Sequence, residues 1–167
     1  ATQNPIEQEG TYPIPEAQLD RFMFNIIIDY PNISDEVKIV NQATSNINNK
    51  ISKIIDGVSL LEFQKLVRNV PVSDNVVNYA VDLVNRTRPA SADKKTADLI
   101  LWGAGPRASI YLVIAAKAKA LLDGRTTPDI NDIKSVSKQV LRHRIVINFN
   151  AEADGITKDE IIDMLIA

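Results

Sequence analysis

The sequence contains no cysteine. Disulfides, thiolate nucleophiles and cysteine metal sites are therefore excluded, and the composition fits a cytoplasmic protein. There is one histidine, His143. It has no second histidine or carboxylate at metal-ligand spacing, so a structural or surface role is expected for it, and no serine–histidine–acid set is proposed. An excess of positive charge is also missing. Nineteen Lys and Arg against 21 Asp and Glu give a formal net charge of −2, so broad attraction to nucleic acid or to an anionic membrane is not expected. The apolar runs fall far short of the roughly 20 residues a membrane helix needs. The first residues, Ala1-Thr2-Gln3-Asn4-Pro5, have neither the basic start nor the apolar stretch of a signal peptide. Residue 1 is not Met, which reads as a processed product or a piece of a longer chain. What is present is 167 residues, 45% hydrophobic and 24% charged. That is a soluble composition with room for one well-buried domain, or one domain plus part of another.

Residues 1–31 read differently from the rest. Asn4-Pro5, Gly10, Pro13 and Pro15 mark a loop, and Pro15 suits the first turn of a short helix through Leu19. The run Phe22-Met23-Phe24-Asn25-Ile26-Ile27-Ile28 then predicts a core strand over about 22–28, closed by Pro31. Few partner strands follow, so it reads as the last strand of a sheet whose other members lie elsewhere.

From Ser34 the pattern is helical. Ser34 is the expected cap of a helix with Asp35 and Glu36 in its first turn, and Val37 and Val40 begin its apolar face. Ser59 with Glu62 predicts a helix to about Arg68, ended by Pro71. Ser73 or Asp74 opens the next, with Val77, Ala80, Val81 and Val84 as its stripe, ending near Arg88 before Pro89. Residues 89–96 read as loop. Pro106 starts a helix through Leu122, stopped by Asp123-Gly124. Thr127-Pro128-Asp129 starts another that turns Ile130, Ile133, Val136, Val140 and Leu141 inward. Ile145-Val146-Ile147 is a candidate short strand, and Thr157 with Glu160 caps a final helix.

Three segments occur in an informative order: Ala1-Thr2-Gln3-Asn4-Pro5-Ile6-Glu7-Gln8-Glu9-Gly10-Thr11-Tyr12-Pro13, then Leu19-Asp20-Arg21-Phe22, then Trp102-Gly103-Ala104-Gly105-Pro106-Arg107-Ala108-Ser109. Together they resemble the sensor 1, arginine-finger and sensor 2 segments of MoxR-type AAA+ ATPases. Leu141-Arg142-His143-Arg144-Ile145 is similar to a segment near the end of that family's lid. The resemblance covers essentially the whole chain. It implies a mainly α fold, a helical AAA+ lid domain at 32–167 preceded at 1–31 by a fragment of an α/β P-loop NTPase core. The sequence departs from the complete family pattern. It has no Gly-x-x-x-x-Gly-Lys-Ser/Thr loop, and no apolar strand ending in Asp-Glu precedes Ala1. The expectation is a C-terminal fragment that is inactive alone.

The resemblance assigns chemistry to three residues. Asn4 would be sensor 1, whose amide both donates and accepts and can orient the attacking water or touch the γ-phosphate. Ordinary turn chemistry is the competing reading. Arg21 would be the arginine finger, a planar and permanently charged fork offered to the neighbouring subunit's phosphates. Its competing reading is an ion pair with Asp20 or Glu16. Arg107 would be sensor 2, and it has an independent argument. It stands in the first turn of a helix, where free N–H groups and the dipole favour anions. A solvated arginine is the alternative there. Trp102 reads as a packing anchor. The basic group Arg86, Arg88, Lys94 and Lys95 has no aromatic ladder beside it and reads as a solvated face or subunit contact.

The resemblance further implies ATP and Mg²⁺ as cofactors held mainly by other parts of the ATPase. It also implies a homo-oligomeric ring, expected to be a hexamer, and chaperone-like remodelling of client proteins with a von Willebrand factor A-domain partner. No nucleic acid and no membrane insertion are expected. Two other readings stay open at this point: a helical interaction module without catalysis, and the lid of a related ATPase such as a magnesium-chelatase subunit or a replicative helicase.

Overall fold

The computed structural model describes residue 2 and residues 14–45 and 52–167. Asn4 and nearly all of the sensor 1 segment lie outside the described residues. Two compact units are distinguished, 1–25 with 67–167, and 26–66.

In the first unit, Pro15 precedes a single helical turn, α1 (Glu16–Leu19), and Asp20 is its C-cap. Pro71 ends the preceding helical stretch, and α4 (Asp74–Arg86) starts after Ser73. It buries Val76, Ala80, Leu83 and Val84, while Val81 is 51% exposed. Ala80 and Val84 were thus expected correctly, whereas Val76 and Leu83 are buried in place of Val77 and Val81. The spacing 76, 80, 83, 84 satisfies the helical period as well as 77, 80, 81, 84 does, and the neighbouring helices decide between them. Within the stretch expected to be loop, Asp93 caps a short helix, α5 (Lys94–Ala97), by accepting from Thr96 N at 3.1 Å.

Strand β1 (Ile100–Trp102) pairs antiparallel with β2 (Val146–Ile147), Ile100 opposite Ile147. The second of these was expected and the first was not. Helix α6 (Pro106–Leu122) keeps its predicted limits: Pro106 occupies the first turn, and Gly124 takes a φ of 74° that lets Arg125 N–H reach Ala120 O at 2.8 Å. It is apolar nearly all round and is the central helix. Buried Ala108, Ala115, Ala116 and Ala120 leave room for its neighbours to approach, with Leu112 between them.

Helix α7 (Ile130–Leu141) opens with a reciprocal capping box of Asp129 and Asp132. Arg125 adds two hydrogen bonds to the buried Asp132. Those bonds are the main cause holding that carboxyl below its usual pKa. After the short α8 (Phe149–Ala153), α9 (Lys158–Ile166) carries the expected Thr157–Glu160 box and buries Ile161, Ile162 and Leu165. The core is formed where α4, α6, α7 and α9 converge on Leu83, Leu112, Ile133, Leu141 and Ile161.

The second unit contains α2 (Ile33–Ala43) and most of α3 (Gly57–Asn69), neither of which buries a residue. Both caps differ from expectation. Asn32, not Ser34, accepts from Asp35 N at 2.9 Å, and Ser34 instead donates to Asn32 at 2.6 Å. Asp56, rather than Ser59, accepts from Ser59 N at 2.8 Å and opens α3. In each case the side chain that reaches the third amide ahead takes the cap.

The core strand expected over 22–28 is not formed among the described residues. Residues 24–32 carry no strand pairing, and Ile26, Ile27 and Ile28 are 72%, 59% and 91% exposed. A strand needs partner amides and carbonyls for its own. An apolar run records a preference for burial; it does not supply the neighbouring strand.

Candidate functional site

Arg107 is the second residue of α6, so its position depends on how that helix begins. The turn before it is pressed onto the end of α4. The buried Thr87 hydroxyl donates to Val84 O at 2.6 Å and accepts from Ala104 N at 2.9 Å. Arg88 Nε donates to Ala104 O at 3.1 Å, so this arginine is a structural staple and not merely part of a solvated face. A Cβ on Gly103 would stand 2.4 Å from Thr87 O, so only glycine allows the approach. Trp102 just before it is 71% exposed and is not the packing anchor expected. The turn is held by backbone proximity and the Thr87 hydroxyl, and it does not need the indole.

From that start the Arg107 guanidinium donates to Asp20 Oδ2. The other carboxylate oxygen, Oδ1, accepts from Arg144 Nε at 2.9 Å. Arg144 lies in the turn that follows α7, its N–H bonded to Leu141 O at 2.8 Å, and its side chain is 1% exposed. It donates further to the carbonyls of Asp20 at 2.8 Å, Phe22 at 2.5 Å, Met23 at 3.4 Å and Val140. Its guanidinium stands 5.1 Å from the centroid of the Tyr111 ring, within cation–π range. Burial lowers its pKa from the ordinary guanidinium value, while the Asp20 hydrogen bond and charge oppose that change. The group stays charged, as arginine does in proteins.

The neighbours of Arg144 complete a clasp on residues 20–25. His143 Nε2 lies 3.0 Å from Phe22 O, so it acts as the donor. Its Nδ1 is buried with no hydrogen-bond partner. Burial is the main cause pushing the His143 pKa down, the Phe22 bond opposes it, and the nearby Arg144 and Arg142 charges push it down further. Arg142 pairs with Asp159 at 2.7 Å and donates to Asn25 O at 3.4 Å. Gln139 O accepts from Asn25 N at 2.8 Å. Tyr111, one helical turn past Arg107, donates its hydroxyl to Arg21 O at 3.1 Å.

Two of the three residues expected from the sequence are thus brought to one place. Arg107 and Arg21 lie on either side of Asp20: Arg107 is ion-paired to it, and Arg21 follows it in the chain with an exposed side chain. Asp20 pairs with Arg107 and Arg144, not with Arg21 as the alternative reading had it. Asn4 lies outside the described residues. Sequence reasoning missed Arg144 and the role of Asp20. No helical period reveals Arg144, because it stands in the turn after α7; the only signal was its place in the Leu141–Ile145 segment. Among the described residues, no group of three His, Asp or Glu could hold a metal ion, and no helix is long and apolar enough to cross a membrane.

Residues 92–165 match the family described as the AAA lid domain, and residues 1–24 match the ATPase family associated with various cellular activities (AAA). The chain is 36% identical over 97% of its length to the YeaC protein of Bacillus subtilis, covering 49% of that protein. It is 36% identical over 99% of its length to chaperone MoxR1 of Mycobacterium tuberculosis, covering 44% of it. A crystal structure of a Cytophaga hutchinsonii protein described as a "putative ATPase" superposes with a TM-score of 0.89 at 38% identity, covering 98% of this chain and 51% of that one. The chain spans about half the length of the curated relatives it matches. The sequence motifs, the mainly helical architecture and these relatives agree, and the chain belongs to the MoxR-type AAA+ ATPase family.

Proposed function

We propose that this chain is the lid and phosphate-sensing portion of an ATP-driven MoxR-type remodelling factor. The observation that supports this most is the Asp20 junction, where Arg107 at the start of α6 and the root of Arg21 are held within one clasp. The residues fit an anionic ligand: the Arg107 side chain is 43% exposed, and its one ion-pair partner among the described residues is a carboxylate that a phosphate can replace. Bound ATP with Mg²⁺ would supply the phosphoryl group and the charge to be stabilised. Arg107 would donate to the terminal phosphate and report its presence to the lid. Arg21, with its exposed fork, would reach the site of the adjacent subunit. Asn4 would orient the attacking water. Loss of the terminal phosphate would release Arg107 and let the lid rotate.

In this reading 1–31 is the end of the AAA+ core and 32–167 the lid. The full-length protein forms a cytoplasmic ring, a hexamer, and remodels client proteins with a von Willebrand factor A-domain partner. The chain alone, without a P-loop, does not turn over ATP. Mixing tests the shared site. Full-length Arg21→Ala subunits and P-loop-defective subunits are each inactive, but a mixed ring places an intact finger beside an intact P-loop and recovers turnover. Mixed rings that assemble and stay at the level of either parent contradict the assignment.

A further inference from the structure

We propose that Asp20 is a positioning residue that competes with the terminal phosphate of ATP for Arg107, and so sets the preference of the site for ATP over ADP. This rests on the function proposed above and adds a residue to it.

The two arginines on Asp20 are not equivalent. Arg144 is buried and carries hydrogen bonds to four carbonyls besides the carboxylate, so it cannot leave without stranding them. Arg107 is 43% exposed and has Asp20 as its hydrogen-bond partner among the described residues. Only one of the two is free to move, and it is the one in the sensor 2 segment. Charge accounting agrees. When Arg107 turns to a phosphate, Asp20 keeps Arg144 on Oδ1, so no bare carboxylate remains. Exchange is therefore cheap for Asp20. A terminal phosphate carries more charge and more acceptor oxygens than a carboxylate, so it wins the exchange. A nucleotide without that phosphate offers nothing at the same point.

The geometry also connects this exchange to Arg21. Arg107 and Tyr111 are one turn apart on α6, and Tyr111 holds the Arg21 carbonyl while Arg107 holds the preceding side chain. A shift of the α6 start is felt at both residues of the Asp20-Arg21 pair.

The test is equilibrium titration of the full-length protein with ATP and, separately, ADP, using Asp20→Asn, Arg107→Ala and the double variant. Asp20→Asn removes the charge but leaves an acceptor for Arg144. It should tighten ATP by about two- to fivefold, the scale of an exposed ion pair. ADP affinity should change less than the ATP affinity, and the gain should vanish in the double variant. Asp20→Ser, a smaller acceptor, repeats the measurement if the amide variant melts markedly lower. If both substitutions leave ATP affinity unchanged, lower it, or raise ADP affinity equally, the competition is refuted. When Arg107→Ala still weakens ATP, the sensor role survives that failure. If Arg107→Ala leaves ATP binding at the wild-type level, the sensor role itself falls.

Discussion

Removing the Arg144 side chain leaves the carbonyls of Asp20, Phe22, Met23 and Val140 without this donor and Asp20 without its fixed partner. Breaking a buried charged network by deleting one member costs about 3–5 kcal/mol. Arg144→Ala is expected to destabilise the folded chain on that scale, and Arg144→Lys to recover little, because an ammonium cannot span the same set of acceptors. Chemical denaturation checks both. His143 predicts a pH dependence with a definite sign. Its folded pKa is depressed below the ordinary 6.5, chiefly by burial, so the unfolded chain binds the proton more readily. Stability is full above that value, falls as pH drops from about 6.5 toward the folded pKa, and falls no further below it on this account. Melting temperatures between pH 7.5 and 5.5 should decline in the wild type, and the decline should be smaller in His143→Gln. Equal slopes would remove His143 from the account.

At the scale of elements, the Trp102–Pro106 turn fixes where α6 begins and hence where Arg107 sits. Gly103→Ala forces a Cβ against the Thr87 backbone, and the turn must shift. The expected cost is about 1–3 kcal/mol, the range for overpacking, with nucleotide sensing impaired beyond what the lost stability explains. Leu112→Ala, in the middle of α6 and fully buried, should cost about 2–5 kcal/mol while leaving the Asp20 junction in place. The limits of α6 and α7 were legible in the sequence because Pro106, Gly124 and the Asp129–Asp132 pair act within a few residues of themselves. The stripe of α4 was read correctly at Ala80 and Val84, but Val76 and Leu83 take the places expected for Val77 and Val81, because adjacent apolar residues flank the stripe and tertiary neighbours choose among them. The strand expected at 22–28 is not formed for a related reason: pairing depends on another segment, which an apolar run does not specify. β1 escaped notice because three residues carry too little pattern.

For the whole molecule, the family was legible because its motifs are long and local, and Arg21 and Arg107 could be picked out within them. The junction that joins them was not. Arg144 and Asp20 are separated by 124 positions, and nothing local in either segment names the other. The proposed mechanism depends above all on Arg107 sensing the terminal phosphate. Its most direct test is steady-state ATP turnover by the full-length Arg107→Ala protein, with ring assembly and melting temperature checked beside it. The expected result is an assembled ring whose turnover falls by about a hundredfold, the scale for losing one donor aimed at developing charge. A properly assembled variant that hydrolyses ATP within twofold of the wild-type rate would contradict it.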